Sequence, residues 1–329
     1  MTQPLLIFSP AGVVADRTAL SRAKKRLAQR GYAVQLDEGA GARQQRFAGS
    51  DDERLAALHR IAQAGIAGEA SIAMASRGGY GLTRLLDRID WPLLARSVEA
   101  GLRWVGYSDM TALQLAAIAH KAAGPERVPH VHHDHVGDAH DHHCRPAGGW
   151  WAGPLACDDF GRKEDAEAVD DVTADCFDEA MSGQLEAVGF RTDAGFDGLG
   201  VTGRLWGGNL CVVTSLLGTP HLPRIKGGVL FLEDVNEHPY RVERMLLQLH
   251  QAGVLGAQKA VVLGTFTAFR PSPLDRGYGL KTAIAHLRSV CGVPILTGLP
   301  FGHVRTIVSL PQGRRVSLAV QGRDAFVGW

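Results

Sequence analysis

Short apolar runs alternate with amphipathic stretches through the first 120 residues. Residues 5–8 read as a strand, residues 20–27 lie in a helix, and residues 33–36 form a second strand. Ser50-Asp51-Asp52-Glu53 has the S-x-x-E form of a capping box, in which serine and glutamate satisfy each other's backbone N–H groups, so a helix opens into ERLAALHRIAQAG. Residues 71–75 add a strand that runs into Arg77-Gly78-Gly79-Tyr80-Gly81. A helix follows, then an apolar strand through Leu102, Trp104 and Val105, and then a helix with Leu113, Ala116 and Ala117 on one face at steps of three and four. Alternating strands and helices predict a parallel sheet covered on both faces, with its ligand crevice beyond the carboxyl ends of the strands. The Arg77–Gly81 loop and Ser108 both follow directly on strands, so both should line that crevice.

The pattern breaks between residues 124 and 150. Seven of the fourteen histidines fall in PHVHHDHVGDAHDHHC, residues 129–144, with no apolar period, which reads as an inserted surface loop. Residues 158–180 are acidic but place Ala168, Val172, Cys176 and Ala180 at helical spacing, predicting a mostly solvated helix between two halves. From Leu185 onward, Gly-rich short strands dominate: VTGRLWGG, GGVLFLED, KAVVLGTF, RTIVSLP and RVSLAV. Two helices interrupt them, one over 240–252 with Val242, Met245, Leu246 and Leu249 in register, and one over 280–289. The expected fold class is α/β. An N-terminal Rossmann-like parallel-sheet domain spans 1–155 with the insertion at 124–150, a linking helix lies within 156–184, and a C-terminal α+β domain rich in short strands spans 185–329. The active site is expected at their interface.

Composition narrows the function classes. Thirty-five basic and thirty-four acidic residues give almost no net charge, and no long basic run exists, which argues against nucleic acid and anionic membranes as partners. No apolar stretch approaches a membrane span, and MTQPLLIFSPAG reads as a first strand rather than a signal peptide. Five scattered cysteines (144, 157, 176, 211 and 291) without a CxxC pair suit a reducing cytoplasm.

Ser108 stands where a strand turns into a helix without a gap. Such a turn holds a hydroxyl clear of the backbone, beside the free N–H groups and partial positive charge of a helix N-terminus. An ordinary helix N-cap is the alternative. A serine nucleophile needs a base, an acid behind the base, and N–H donors for the oxyanion. His303, in LTGLPFGH ahead of a strand expected at 307–310, is the candidate base; His120, His221, His238, His250 and His286 compete. Glu233 ends the strand VLFLED and is the candidate acid, or else a strand-end charge or part of a Glu233-Asp234 pair serving the following turn; Asp234 has the opposite pleat parity. The paired glycines at 78–79 let backbone approach a substrate closely, so Gly79 and Asp109 are the candidate oxyanion donors, against a simple tight turn. The loop lacks the GK[ST] ending of a phosphate loop. GYSDM departs from the GxSxG elbow at Met110, which disfavours an ordinary α/β-hydrolase.

The RGGYG loop with RLLDRIDW, the GYSDMTALQ turn, LWGGNL with SLLGTP, LEDVNEHPYRVERMLLQL and TGLPFGH together resemble the LD-carboxypeptidase family of serine peptidases, and within it the cytosolic muramoyltetrapeptide carboxypeptidases. The likeness runs in order over nearly the whole chain. It implies a Ser108–Glu233–His303 triad, an oxyanion hole at the backbone of Gly79 and Asp109, and no metal or cofactor. The implied reaction is release of the terminal D-alanine from muropeptide tetrapeptides in cytoplasmic wall recycling, through an acyl-enzyme on Ser108. Arg77 is a candidate for binding the terminal carboxylate, with a structural loop arginine as the alternative, and a homodimer is allowed for. The histidine-rich insertion departs from the family, which makes a much shorter connection there. Two rival readings remain: an immunity-type peptidase cleaving peptidyl or aminoacyl nucleotide toxins, and a metal-binding protein with a vestigial site.

Overall fold

The computed structural model describes residues 2–126, 147–163 and 169–329. The first half supplies β1 (Gln3–Phe8), α1 (Ala19–Gln29), β2 (Tyr32–Leu36), α2 (Asp51–Ile66), β3 (Ile72–Ala75), α3 (Trp91–Glu99), β4 (Arg103–Gly106), α4 (Met110–Ala119) and β5 (Gly149–Ala152). All five strands pair in parallel. The capping box forms as expected, with Glu53 N–H on Ser50 Oγ at 3.1 Å and Ser50 N–H on the Glu53 carboxylate at 2.7 Å. Every residue of β3 and β4 is buried, which is why these strands read as continuous apolar runs rather than alternating ones.

The rest of the chain gives α5 (Asp171–Ser182), β6 (Ala187–Arg191), β7 (Gly200–Asn209), α6 (Leu210–Ser215), β8 (Val229–Val235), α7 (Pro239–Gln251), β9 (Ala260–Thr267), α8 (Leu280–Val290), β10 (Ile295–Leu296), β11 (Leu310–Gln312), β12 (Arg315–Gln321) and β13 (Asp324–Gly328). Seven of these strands form a second, mixed sheet in the order β10-β9-β8-β7-β12-β13-β6. Its β7 to β10 run parallel and its β12, β13 and β6 antiparallel. The remaining strand, β11, crosses to the first sheet and pairs antiparallel with β5, so that sheet reads β11-β5-β4-β3-β1-β2.

Three elements differ from their sequence pattern. The helix α4 is buried on every side, not along one stripe, because it lies between the sheets. One apolar cluster runs from Phe8 and Trp104 through Leu113 and Ala117 of α4 to Trp206 and Phe231 of the second sheet. The strand expected at 307–310 is mostly irregular. Its Ile307 N–H donates to Thr173 Oγ1 at 2.9 Å and its Ser309 N–H to Cys176 Sγ at 3.2 Å, so side chains of α5 replace a strand partner. For the same reason α5 is not mostly solvated: Thr173, Ala174, Cys176, Phe177, Ala180 and Met181 are buried, while its acidic residues and Val172, at 57% exposure, meet water. Ala168 and the histidine-rich stretch from His130 to Cys144 lie outside the described residues. No helix among the described residues is long and apolar enough to cross a membrane.

Candidate active site

The chain leaves β4 at Gly106, turns through Tyr107 and Ser108, and enters α4 at Met110. Ser108 holds φ at +63°, a left-handed conformation that costs a non-glycine residue about 1–2 kcal/mol and recurs where function demands it. The Arg77–Gly81 loop packs directly on this turn. A Cβ built on Gly78 would sit 2.6 Å from Ser108 Cβ and 2.7 Å from its Oγ, so only glycine fits there.

His303 Nε2 lies 3.0 Å from Ser108 Oγ, and His303 Nδ1 lies 2.8 Å from Glu233 Oε2. The residues come from three separate places: the β4–α4 turn, the end of β8, and the loop between β10 and β11. Glu233 has no exposed surface, while a quarter of the His303 side chain remains open (23%). Burial works against a charged imidazole at position 303, but the hydrogen bond and the negative charge of Glu233 outweigh it, and its pKa is raised above the ordinary value. The Tyr107 ring meets His303 edge-on at 5.0 Å and Phe301 at 5.9 Å, fixing the plane of the imidazole. Chemically, this arrangement can pass a proton from the serine hydroxyl to a neutral imidazole whose tautomer is set by a buried carboxylate.

Glu233 and Asp234 are both buried; they share one partner, and each has others of its own. The pairing of β8 with β9 shifts register between Leu232 and Asp234, an irregularity of the kind that re-aims side chains. Asp234 accepts Cys211 N–H at 2.8 Å and Val235 N–H at 2.8 Å, and burial pushes its pKa up to about 6. Asn209 binds the two carboxylates together: its Nδ2 donates to Glu233 Oε1 at 3.2 Å and to Asp234 Oδ1 at 3.1 Å. Its own N–H donates to Thr111 Oγ1 at 3.0 Å, tying β7 to α4. The LWGGNL motif contains Asn209, and an asparagine before LCVV is a helix-cap signal, but its reach to Glu233 depends on the pairing of β7 with β8.

The N–H groups of Gly79 and Asp109 make no hydrogen bond among the described residues. Gly78 N–H, by contrast, faces the Asp158 carboxylate, whose pKa burial raises. Asp158 belongs to a π-helical turn, Ala156–Phe160, which sequence pattern did not single out. In the same turn Asp159 is wholly buried, accepts Leu155 N–H at 2.7 Å, and is pushed up to about 7 by that burial. Arg77 donates to Val13 O at 2.9 Å and lies 4.0 Å from Asp158, so much of its guanidinium serves the loop itself.

The competing histidines are engaged elsewhere. His120 and His221 contact each other at 3.0 Å, and His221 reaches Asp87 at 2.9 Å. His238 caps α7 and meets Asp275 at 3.1 Å, while His250 and His286 sit on α7 and α8. Among the described residues, no group of three or more His, Cys, Asp and Glu side chains is placed to hold a metal ion.

Residues 5–124 match the family model of the LD-carboxypeptidase N-terminal domain, and residues 202–318 that of the LD-carboxypeptidase C-terminal domain. The chain is similar to a probable murein peptide carboxypeptidase of Bacillus subtilis (strain 168), 27% identical over 96% of this chain and 90% of that protein. Among solved structures it resembles muramoyltetrapeptide carboxypeptidase from Oxalobacter formigenes, at TM-score 0.81 and 35% identity, over 99% of both chains. The microcin C7 self-immunity protein MccF in complex with glutamyl sulfamoyl guanosine shares the fold at TM-score 0.80 with 18% identity, over 99% of this chain and 96% of that one.

Proposed function

Because the chain belongs to the LD-carboxypeptidase family of serine peptidases, we propose that it removes the terminal D-alanine from muropeptide tetrapeptides, with Ser108 as nucleophile, His303 as base and Glu233 as the orienting acid. The observation that carries this reading is the continuous hydrogen-bonded path from Ser108 Oγ through His303 to Glu233, at 3.0 and 2.8 Å. Ser108 Oγ attacks the carbonyl of the L-centre as His303 Nε2 takes its proton. The oxyanion is received by the N–H groups of Gly79 and Asp109, which have no other partner among the described residues. His303 then returns the proton to the leaving amine of D-alanine, and water attacks the ester on Ser108 with His303 again as base. Nucleophile and base both come from side chains, so the chemistry asks for no metal or cofactor. The described cysteines at 157, 176, 211 and 291 are free, in keeping with a reducing cytoplasm and with wall recycling as the setting.

Incubation with a defined tetrapeptide and mass analysis of the products tests the reading. Tripeptide and free D-alanine are expected, and Ser108→Ala should give neither. The rival substrate, a peptidyl or aminoacyl nucleotide, draws support from the likeness to MccF, but at 18% identity that likeness carries the fold alone. Release of a nucleotide and no D-alanine would favour the rival.

A further inference from the structure

A second cavity, of about 980 Å³, opens where β4 and β12 begin, at the opposite end of β4 from Ser108. None of the triad, oxyanion or Arg77 positions lines it. Its size suits a small organic molecule. Apolar walls come from Trp151, Leu185, Val316 and Trp329; positive charge comes from Arg103, Arg314 and Arg315, against the carboxylates of Glu126 and Glu186. Arg315 is within 3.9 Å of Glu126. The other two have no carboxylate at ion-pair distance among the described residues.

Arg103 is 3% exposed and donates only to neutral acceptors: Met181 O, Ser71 O at 3.3 Å and Gln3 Oε1 at 3.1 Å. Arg314 is half-buried and lies over the Trp151 ring, 5.1 Å from its centroid. It gives one nitrogen to Ala147 O at 3.3 Å and Gly148 O at 3.4 Å, while its Nε and Nη1 have no partner among the described residues. Burial pulls both guanidinium pKa values down to about 10, and the charge of Arg314 lowers that of Arg103 further. Two cations that repel each other represent a cost that a bound anion would relieve.

We propose that this cavity binds a small organic anion bearing two acidic groups, with Arg314 and Arg103 as its charged contacts and the Trp329 side chain against its carbon frame. The assignment is independent of the peptidase chemistry. Succinate and inorganic phosphate are suitable probes, each compared with chloride at equal ionic strength in the full-length protein. Succinate should raise the thermal midpoint saturably, by about 2 °C or more. Titration calorimetry should give the same affinity. Arg314→Gln should abolish the rise, and so should Ala187→Glu, an exposed lining position where a new carboxylate repels the ligand without disturbing the core. Hydrolysis of the tetrapeptide should stay within about twofold of wild type in both variants. The proposal is overturned if succinate gives no saturable rise or if the rise survives both substitutions. Competitive inhibition of the peptidase by succinate at the same concentration, or a rise with phosphate alone, also overturns it.

Discussion

The Asp109 carboxylate accepts the backbone N–H of Leu82 at 2.9 Å, joining the residue after the nucleophile to the end of the Arg77–Gly81 loop. The Gly81 N–H also faces this carboxylate and lowers its pKa. Behind it, Arg54 donates to Gly81 O at 3.0 Å and Pro10 O at 3.0 Å. The two backbone donors proposed for the oxyanion, Gly79 and Asp109, are thereby held by one buried side chain. Burial pushes the pKa of Asp109 up to about 6, so its charge is maintained at a cost, by two N–H groups and the nearby Arg54.

Asp109→Asn should therefore lower kcat by about 10- to 100-fold with little change in KM, because oxyanion donors act mainly in the transition state. The affinity of a boronate that mimics the tetrahedral intermediate should fall in parallel. Near-normal kcat with unchanged boronate affinity would show that the carboxylate is not needed to hold the two donors.

Gly78→Ala tests the contact between loop and nucleophile. The new methyl would lie 2.6 Å from Ser108 Cβ, and the serine is fixed by its turn. Turnover should drop at least about 100-fold, since small misplacements of reacting groups carry losses of that order. Circular dichroism should report an intact fold. An active Gly78→Ala protein would mean that the loop can withdraw from Ser108.

Ser108→Ala and His303→Ala should each reduce kcat by at least about 10³-fold, and the double variant should be little worse than either. Steady-state hydrolysis of the tetrapeptide measures all three. A folded Ser108→Ala protein retaining a tenth of wild-type turnover would remove Ser108 from the mechanism.

The pH profile follows from the raised pKa of His303. The base must be neutral to take the serine proton, so kcat/KM should fall as pH drops through a value above the ordinary histidine range. Glu233→Gln removes the charge that holds the pKa up and leaves burial, which lowers it. The acid limb should thus move to lower pH while the plateau falls by about 10³- to 10⁴-fold. The sign for stability is the opposite: a raised histidine pKa stabilises the fold at pH below its unfolded value, and that contribution is lost as pH rises through the folded value. An acid limb that stays in place in Glu233→Gln would mean that another group controls it.

The proposed triad positions are legible in the chain because each carries a local signal: Ser108 at a strand-to-helix turn, Glu233 at the end of four apolar residues, His303 in a glycine-rich loop. The supporting residues lack one. Asn209 reaches Glu233 only because β7 pairs with β8 in a register that sets Asn209 opposite Glu233. Asp158 reaches Gly78 only through the fold of the turn at Ala156–Phe160. The crossing of β11 to β5 is equally non-local, since Leu310 and Ala152 are brought together by the whole intervening half of the chain. Periodicity reports which face of an element is buried, and α4 shows its limit: packed from both sides, it has no polar face to read.

The histidine-rich stretch is open to the same physical test. Arg315 N–H donates to Glu126 O at 2.8 Å, and β5 starts at Gly149 against β4, so the chain is anchored on both sides of residues 130–144 by contacts that a deletion would leave untouched. Replacing 130–144 by a short Gly/Ser linker should keep the fold and leave kcat/KM on the tetrapeptide within about twofold of wild type. Seven imidazoles and a thiol within fifteen residues are good ligands for nickel, copper and zinc, so the deletion should also remove most of the affinity for immobilised nickel. Exhaustive EDTA treatment should leave turnover of the full-length enzyme unchanged, because a triad with its own base draws nothing from a bound metal. Loss of turnover in a well-folded deletion variant would make the stretch part of the active site. Loss on chelation, restored by zinc, would replace the serine mechanism with a metal-dependent one.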